Sequence, residues 1–192
     1  MIPKSVIHLL SGGMDSTVLL YDLIEQGCSV HAVLFNYGQK HSQELEWAKY
    51  HCHLTRTMFS TVDLPRLKGS ILTDGSGTEV VPGRNLVFIS AAVNLAASAG
   101  AECVTIGCNR DDAEMFPDCR KEFMHSTNQT LSSAEINIEV CAPYIAKRKW
   151  EIAAMAREMG IAIESTWSCY SGGLSPCGTC KACVLREEAI SK

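Results

Sequence analysis

Short apolar segments alternate with helix-patterned segments along nearly the whole chain, and no other feature constrains the fold as strongly. The apolar segments predict buried strands at residues 6–10, 30–36, 57–62, 103–108, 138–142 and 161–165. Helical spacing of apolar residues predicts helices at residues 17–25, 42–52, 86–99, 121–131 and 149–159. This succession is typical of βαβ units, so we expect an α/β fold with a doubly wound, mostly parallel sheet and helices on both faces.

The remaining stretches are interpreted as loops. Residues 64–85 are polar and contain glycine and proline, which favours a mobile loop. Residues 109–120 are rich in aspartate and predict a second loop. The helix at residues 86–99 is apolar and alanine-rich around most of its circumference, so we expect it to be buried on most sides.

Length and charge restrict the class of protein. A chain of 192 residues accommodates one domain with a small appendage, and we place the boundary near residue 166, giving an α/β domain at 1–165 and a cysteine-rich segment at 166–192. The N-terminal apolar run is too short for an export signal or a membrane span, so we expect a cytoplasmic protein that binds no membrane. The formal net charge of −4 argues against a large nucleic-acid surface.

Four of the 10 cysteines crowd into the C-terminal stretch SCYSGGLSPCGTCKACVLR. Cys169, Cys177, Cys180 and Cys183 include two overlapping CxxC steps, and four thiolates fill the tetrahedral shell of a structural Zn²⁺ ion. An iron–sulfur cluster also takes thiolate ligands, and a redox dithiol is a third interpretation. The other cysteines lie among apolar residues and are interpreted as packing residues: Cys28, Cys52, Cys103, Cys108, Cys119 and Cys141.

A glycine- and serine-rich loop, SGGMDS at residues 11–16, joins the first predicted strand to the first predicted helix. Backbone N–H groups at a helix N-terminus, together with serine hydroxyls, favour a bound anion such as phosphate. The loop is not a Walker P-loop, because no GK[ST] follows it. The alternative is a helix cap with no ligand, although Asp15 is an odd residue for such a cap.

The string SGGxDS in this setting resembles the PP-loop of ATP pyrophosphatases, which split ATP into AMP and pyrophosphate. Four further strings follow in order: FNYGQ at 35–39 with His41 and Glu44, VPGRN at 81–85, PDCR at 117–120, and the terminal cysteine pattern. Together they resemble the 7-cyano-7-deazaguanine synthase family over nearly the whole chain. The resemblance implies an adenine-nucleotide-hydrolase-like PP-loop fold with a small C-terminal zinc knuckle.

The resemblance also implies a reaction. The family converts 7-carboxy-7-deazaguanine and ammonia into 7-cyano-7-deazaguanine in queuosine and deazapurine biosynthesis, and it uses two ATP through adenylated acid and amide intermediates. The implied cofactors are ATP, Mg²⁺ and one structural Zn²⁺, and the implied assembly is a homodimer. The chain departs from the family pattern in a short segment at 68–81, in AEMF at 113–116 and at Arg148. Whether the reaction stops at the amide therefore stays open.

Candidate site residues follow from the motifs and the resemblance. The resemblance implies that Asp15 works with Mg²⁺ on pyrophosphate and that Lys149 binds phosphate, although a basic cluster is usually a solvated surface. Asp112 is a candidate for reading the guanine-like edge, and Arg120 for binding the substrate carboxylate. The residues predicted to bind ATP are Leu10, Ser11, Gly12, Gly13, Met14, Asp15, Ser16, Thr17, Arg84 and Asn85.

Several residues have two interpretations. Arg84 fits a phosphate or carboxylate, and Asn85 fits either a ligand contact or the cap of the following helix. Cys119 could be a nucleophile, but a packing thiol is favoured because amide formation needs no thioester. His41 could be a base, but a lone histidine in a helix N-terminal turn is more often a surface residue.

Two other classes of protein remain as alternatives. One is another PP-loop enzyme, either an amide-forming deazaguanine synthetase or a tRNA-thiolation enzyme with an iron–sulfur site. The other is a nucleotide-binding module that uses the cysteine knuckle for partner contact and has no enzymatic activity.

Overall fold

A five-stranded parallel sheet forms the centre of the computed structural model, which describes residues 4–192. The strand order is β3-β2-β1-β4-β5, and all four pairings are parallel. The order reverses between β1 and β4, which confirms the predicted doubly wound sheet. The strands are β1 Ser5–Leu9, β2 Ser29–Asn36, β3 Met58–Asp63, β4 Cys103–Ile106 and β5 Glu139–Cys141.

Seven α-helices are found within residues 4–192, and five of them correspond to predicted helices. The helices are α1 Met14–Glu25, α2 Gln43–Thr55, α3 Arg84–Ala99, α4 Arg110–Met115, α5 Lys121–Ser133, α6 Lys149–Glu158 and α7 Lys181–Ile190. Helix α1 begins three residues earlier than predicted, so Met14, Asp15 and Ser16 form its first turn. Helix α7 was not predicted, because the cysteine pattern dominated the interpretation of that segment.

Alternate strand residues face opposite helical layers. Ile7 and Leu9 of β1, with Phe35 of β2, pack against α3 and α5 in one buried cluster. Val6 packs in a second cluster with α1, α6 and α7. Leu10 and Leu34 pack with α1 and α2 in a third cluster. Helices therefore cover both faces, as a parallel sheet requires and as predicted.

Two local predictions are wrong. Residues 161–165 form no strand but a 3-10 helix at Ile163–Ser165, because Ile161 and Ile163 pack into the cluster with α6 while the backbone bonds locally. Residues 109–120 are not a loop, since they contain α4 and a 3-10 helix at Pro117–Cys119. The Asn109 side chain accepts the Asp112 N–H at 2.9 Å, so it caps α4.

Helix α3 is buried on one face only, which corrects the expectation that most of its sides are covered. Its buried residues are Asn85, Ile89, Ala92, Val93 and Ala96. Leu86 is 51% exposed and Val87 is 38% exposed. The helix belongs to an outer layer that packs on β1 and β4 from one side, so its opposite face is left at the surface.

The segment between β3 and α3, residues 64–83, contains no helix or strand, whereas Arg84 and Asn85, the last two residues of the predicted loop, already belong to α3. Asp74 organises its middle by accepting hydrogen bonds from the backbone N–H groups of Gly69, Ser70 and Ser76. No helix within residues 4–192 has the length and apolar character needed to cross a membrane. The expected absence of an export signal rests partly on residues 1–3, which lie outside the described residues.

Candidate nucleotide site and cysteine metal centre

A cavity of about 240 Å³ opens at the carboxyl ends of β1, β2 and β4. It therefore lies beside the point between β1 and β4 where the strand order reverses, which is where open α/β sheets bind ligands. Its lining includes residues of the SGGMDS loop, the first turns of α2 and α3, the chain after β4, and the C-terminal segment.

The SGGMDS loop leads into α1 at the cavity, since Gly13 and the first-turn residues Met14, Asp15 and Ser16 all line it. Gly13 caps α1 without any side-chain hydrogen bond, so the first-turn N–H groups stay available. Ser11 and Ser16 hold the loop together, with their hydroxyl oxygens 3.0 Å apart. Of the predicted ATP residues in this loop, those lining the cavity are Leu10, Ser11, Gly13, Met14, Asp15 and Ser16.

Gly12 and Thr17 do not line the cavity. Gly12 has φ +81°, and a Cβ there would lie 2.0 Å from the carbonyl oxygen of Glu44. This glycine is therefore required for the packing of the loop against α2. Thr17 is fully buried, and its hydroxyl has no hydrogen-bond partner within the described chain.

Gly107 is a residue of the site that the sequence interpretation missed. It follows β4, and a Cβ there would lie 3.0 Å from the Cα and N atoms of Ser16. The chain after β4 therefore passes directly over the first turn of α1. The predicted strand at residues 103–108 included Gly107, although a glycine in a strand pattern can indicate a close approach of another backbone segment.

Asp15 and Lys149 form a mostly buried ion pair at the cavity wall. Lys149 Nζ donates to Asp15 Oδ2 at 2.8 Å and lies 4.0 Å from Asp112 Oδ1. Burial opposes the Lys149 charge, but Asp15 and Asp112 outweigh it and raise the pKa of Lys149. Burial also raises the pKa of Asp112 to about 6, against the effect of Lys149. A solvated-surface interpretation of Lys149 is wrong, because its side chain is only 15% exposed.

The start of α6 explains how Lys149 reaches this place. Asp111 accepts the Lys149 backbone N–H at 2.7 Å and the Arg148 guanidinium at 2.6 Å. Glu151 accepts the Arg148 backbone N–H at 2.7 Å and completes the cap of the helix. The unusual Arg148 therefore ties α6 to α4, and it lies beside the site without lining it.

Asp15 and Asp112 also fit a Mg²⁺ ion. Asp15 Oδ1 is buried and has no hydrogen-bond partner among residues 4–192. Carboxylate oxygens are the ligands that Mg²⁺ takes, usually one or two together with substrate phosphates. An unpartnered buried carboxylate oxygen of a residue that lines the cavity therefore fits such an ion.

Arg84, the first residue of α3, supplies a guanidinium to the cavity. No carboxylate in the described part of the chain lies within 4.0 Å of it in an ion pair. Burial opposes its charge, while Tyr37, Glu44 and Asp118 raise the pKa of Arg84. The guanidinium is thus held charged and has capacity for an incoming anion.

Asn85 is buried and is not the cap of α3, so that interpretation is wrong. The helix begins at Arg84 after Gly83, and Asp118 Oδ2 accepts the Asn85 backbone N–H at 3.4 Å. The Asn85 side chain donates to the Asp118 carbonyl oxygen at 3.2 Å and to Cys119 Sγ at 3.5 Å. Asn85 therefore fastens the PDCR segment to α3 at the cavity wall.

Arg120 does not lie where a substrate-binding residue must lie. Its side chain is exposed and donates to the Ala113 carbonyl oxygen at 3.0 Å, and it does not line the cavity. Cys119 does line the cavity, and Cys108 lines it too. The neighbouring Cys119 thiol, together with burial, raises the pKa of Cys108.

Packing was predicted for six cysteines. Four of them are buried: Cys52, Cys103, Cys108 and Cys119. Cys28 and Cys141 are half-buried.

Tyr37, His41 and Glu44 bring a polar cluster to the β2 end of the cavity, and of these three only His41 was considered as a site residue, as a possible base. His41 Nε2 lies 3.5 Å from Glu44 Oε1. Burial lowers the pKa of His41 to about 4 and raises that of Glu44 to about 7, while Arg84 lowers both. The surface interpretation of His41 is wrong, since it is 5% exposed. The string FNYGQ with His41 and Glu44 was part of the family resemblance, but Tyr37 and Glu44 had no assigned roles.

The C-terminal segment completes the cavity wall. Trp167, Ser168, Tyr170 and Ala182 line it, and none of them was predicted. The Trp167 backbone N–H donates to the Gly12 carbonyl oxygen at 2.8 Å. The sequence around these residues contains no catalytic motif. The contact with Gly12 is therefore visible only in the tertiary structure.

The four C-terminal cysteines converge as predicted. The Sγ atoms of Cys169, Cys177, Cys180 and Cys183 all lie within 4.8 Å of one another. Four thiolates around one Zn²⁺, with Zn–S of about 2.3 Å, stand about 3.8 Å apart, so a small inward movement is enough to bind one ion. Backbone N–H groups of Ser171 and Cys177 donate to Cys169 Sγ at 3.4 Å and 3.3 Å, which favours the thiolate form.

Fold and site together define a PP-loop-type α/β protein with a four-cysteine cluster that could hold a metal ion. The model of the family described as Queuosine biosynthesis protein QueC matches residues 5–192, so the chain belongs to this family. The 7-cyano-7-deazaguanine synthase of Caldicellulosiruptor bescii is 42% identical over 203 aligned positions, covering 97% of this chain and 92% of that protein. The synthase of Archaeoglobus fulgidus is 36% identical, covering 96% and 84%. The predicted family resemblance is confirmed.

A solved structure supports the fold independently. The U34-tRNA thiolase NcsA of Methanococcus maripaludis, solved with its 4Fe-4S cluster, matches with a TM-score of 0.59 and 19% identity. The match covers 97% of this chain, which spans 63% of the length of the thiolase. At this identity the likeness shows the shared PP-loop fold and nothing about the reaction.

Proposed function

We propose that the protein converts 7-carboxy-7-deazaguanine and ammonia into 7-cyano-7-deazaguanine, with release of AMP and pyrophosphate. The observation that carries the proposal is the Asp15–Lys149 pair beside the SGGMDS loop at a cavity large enough for small ligands. Relatives 34–42% identical over nearly the whole chain carry the name of this synthase, which supports the substrate assignment.

A PP-loop suits the chemistry because a carboxylate is a poor electrophile. Transfer of AMP to the carboxylate oxygen creates a good leaving group, and ammonia displaces AMP to leave the amide. A second transfer, to the amide oxygen, allows AMP to depart with loss of a proton so that the nitrile forms. The protein must hold the two reactants in line and stabilise the negative charge that develops on pyrophosphate.

Individual roles follow from the positions of the charged groups. The first-turn N–H groups of α1 and the Lys149 ammonium would bind the phosphates of ATP. Asp15 and Asp112 would hold Mg²⁺, which neutralises charge on the pyrophosphate when it is bound. We assign the substrate carboxylate to Arg84 and not to Arg120, because Arg84 lines the cavity whereas Arg120 is exposed on the outside.

We further propose that the four cysteines hold one structural Zn²⁺. Sγ separations within 4.8 Å favour a single ion, because the thiolates of a cluster bind different iron atoms and stand farther apart.

The division of the chain into two domains after residue 165 remains a proposal. Helix α7 of the tail packs against α6, and Ala189 shares the buried cluster of α1 and α6. We also propose that the protein works in the cytoplasm as a homodimer and does not bind nucleic acid directly.

The direct test is to incubate the purified protein with ATP, Mg²⁺, ammonium and 7-carboxy-7-deazaguanine. Mass spectrometry should find the nitrile, with the amide as a transient species, and AMP should appear only when the acid is present. Asp15→Asn should lower turnover by about 100- to 1000-fold while the protein stays folded. The matched control is Glu25→Gln at the exposed far end of α1, which should leave turnover unchanged. Absence of both amide and nitrile would defeat the proposal.

Two outcomes would support a different member of the class. Accumulation of the amide without nitrile identifies an amide-forming synthetase. Iron and a brown colour in the purified protein, with sulfur transfer to tRNA, identify a thiolation enzyme. Zinc near one equivalent per chain is the expected result.

A further inference from the structure

Glu44 differs from the other carboxylates of the cavity, which are Asp15, Glu79 and Asp112. Asp15 and Asp112 face the Lys149 ammonium at 2.8 Å and 4.0 Å. Glu79 is half-buried and belongs to the irregular segment before α3. Glu44 sits on the first turn of α2, its side chain is only 13% exposed, and no lysine or arginine of the described chain is ion-paired to it. Asp15 and Asp112 therefore lie at the end of the cavity where we place the phosphates of ATP, and Glu79 lies on the irregular segment before α3.

The contacts of Glu44 leave one oxygen free. Gln39 Nε2 lies 3.2 Å from Oε1, and His41 Nε2 lies 3.5 Å from the same oxygen. No hydrogen bond from residues 4–192 reaches Oε2. Gln39 is itself fixed, because its Nε2 donates to the Phe35 carbonyl oxygen at 3.0 Å and its Oε1 accepts the Tyr37 N–H at 2.9 Å. The carboxyl group is thus oriented, with acceptor capacity left over.

His41 adds a second acceptor to this end of the cavity. It is 5% exposed, and its Nδ1 is buried without a partner in the described part of the chain. Because Glu44 Oε1 faces Nε2, the proton is favoured on Nε2, which leaves Nδ1 as an acceptor. Two neighbouring side chains that line the cavity therefore each have an acceptor atom without a partner in the described chain, and a ligand with several N–H groups matches such atoms.

An aromatic wall stands beside these acceptors. Phe35 and Phe88 stack with ring centroids 4.3 Å apart and planes 4° apart. Tyr37 meets Phe88 edge-on at 5.2 Å, and all three rings line the cavity. Such a surface binds a flat heterocycle by stacking. The combination of a stacking wall and free acceptors is typical of a pocket that reads a nucleobase edge.

The type of acceptor distinguishes the two bases in the proposed reaction. A carboxylate offers only acceptor oxygens, which match the adjacent ring N–H and amino N–H of a 2-aminopyrimidinone edge. The corresponding edge of adenine has an acceptor nitrogen beside its amino group. A carboxylate, which has only acceptor oxygens, is therefore repelled by that nitrogen. The pocket therefore suits the guanine-type ring better than the adenine ring.

We propose that Glu44 reads the 2-aminopyrimidinone edge of the deazaguanine substrate, with Gln39 as its positioning residue. The inference rests on the proposed function, because it takes the substrate class from there. It replaces Asp112 in this role, since Asp112 faces Lys149. Burial raises the pKa of Glu44 to about 7 against Arg84 and Gln39, and two incoming N–H donors stabilise the carboxylate in the same way as Gln39 does.

The test compares Glu44→Gln with Glu46→Gln on the same helix, where Glu46 is exposed and pairs with Lys49 at 2.8 Å. Two acids are used as substrates: 7-carboxy-7-deazaguanine and its analogue without the 2-amino group. The unaltered protein should prefer the amino compound by about 10- to 100-fold in kcat/KM. Glu44→Gln should lose that preference by lowering kcat/KM for the amino compound alone. The KM for ATP, and every parameter of Glu46→Gln, should stay unchanged.

Calorimetric binding of both acids to the unaltered protein without ATP separates this inference from the proposed function. Tighter binding of the amino compound to the unaltered protein, lost in Glu44→Gln and found without turnover, supports the role of Glu44 in a protein with a different reaction. Equal binding and equal kcat/KM of the two acids overturn the inference even if Glu44→Gln does not fold. A rise in the KM for ATP in Glu44→Gln, with the preference retained, also overturns it and assigns Glu44 to adenine.

Discussion

The backbone N–H of Trp167 donates to the carbonyl oxygen of Gly12 at 2.8 Å, which joins the cysteine-rich segment to the SGGMDS loop. Gly172 of the same segment packs so closely on the chain just before α2 that a Cβ there would lie 2.1 Å from the Lys40 carbonyl oxygen. Arg186 of α7 donates to the Thr166 hydroxyl at 2.7 Å and holds the start of the segment. The segment that carries the four-cysteine cluster is therefore tied to the SGGMDS loop and to the chain before α2 by hydrogen bonds and close packing.

Loss of the metal should weaken nucleotide binding before it unfolds the sheet. We expect Cys180→Ser to lose the ion, and the cavity wall formed by Trp167 and Tyr170 to lose its fixed position. The Kd for ATP, measured by calorimetry, should rise by on the order of 10-fold, equal to about 1.4 kcal/mol. Hydrogen exchange should show that the central strands stay protected. Cys28→Ser is the matched control outside the metal site, and a metal-free Cys180→Ser with unaltered ATP affinity would contradict the expectation.

Gly12 should tolerate alanine less well than Gly27, although both have φ +81°. Alanine at either position carries the strain of left-handed backbone, about 1–2 kcal/mol. Only at Gly12 does the new Cβ meet backbone, at 2.0 Å from the Glu44 carbonyl oxygen, whereas nothing lies within 4 Å of it at Gly27. Urea unfolding of the two variants should therefore show a larger loss for Gly12→Ala, by about 2 kcal/mol or more. Equal losses would mean that the loop does not pack on α2 as described.

Arg84 and Arg120 should differ strongly in their effect on the substrate. Arg84→Gln removes the guanidinium that lines the cavity, and we expect the KM for 7-carboxy-7-deazaguanine to rise by about 10- to 100-fold, the worth of a charge-assisted hydrogen bond. Arg120→Gln removes an exposed side chain that bonds to the Ala113 carbonyl oxygen, so its KM should change less than about threefold. Steady-state kinetics with varied acid measures both, and the reverse order would restore the assignment to Arg120.

His8 should make stability fall as the pH falls from about 6.5 to about 4. It is fully buried, with Nε2 donating to the Ser16 carbonyl oxygen and Nδ1 2.9 Å from the Thr105 hydroxyl. Burial lowers the pKa of His8 to about 4, so below the unfolded value of 6.5 the unfolded chain takes up a proton that the folded chain does not. The contribution of neutral His8 to the free energy of unfolding is fully present above pH 6.5 and amounts to about 3 kcal/mol.

The measurement compares urea unfolding of the unaltered protein and His8→Asn at several pH values. The loss of packing in His8→Asn changes the free energy of unfolding by the same amount at every pH. The titration of His8 instead makes the difference between the two proteins shrink as the pH falls from 6.5 to 4. His53→Asn, at an exposed position of α2, serves as the control. A difference that does not depend on pH in this window would show that His8 is protonated in the folded protein.

Elements with a local signal were predictable from the sequence. Strand β1, the SGGMDS loop and α1 follow from apolar periodicity and glycine placement within 20 residues. The four cysteines follow from their spacing. Family strings pointed to the β2 end of the cavity but not to the burial of His41 and Glu44, since burial depends on what packs over them.

Features that depend on distant contacts were missed or misplaced. Asn109 caps α4, and the aspartates that favour its first turn were read as a loop signal. Ile161 and Ile163 pack into the buried cluster with α1 and α6, so their apolar character does not indicate a strand. Arg120 lies one residue after Cys119, yet the end of a 3-10 helix directs Cys119 inward and Arg120 outward. Trp167 reaches the SGGMDS loop from 155 positions away in the chain, which no local pattern encodes.

The most direct test of the account follows the oxygen atoms of the substrate. With ¹⁸O in both carboxylate positions, adenylation of the acid and then of the amide should transfer one labelled oxygen to each of two AMP molecules for every nitrile formed. Mass spectrometry of the recovered AMP should find this label and none in pyrophosphate. Unlabelled AMP, or label in inorganic phosphate, would contradict adenylation at the SGGMDS loop and with it the proposed reaction.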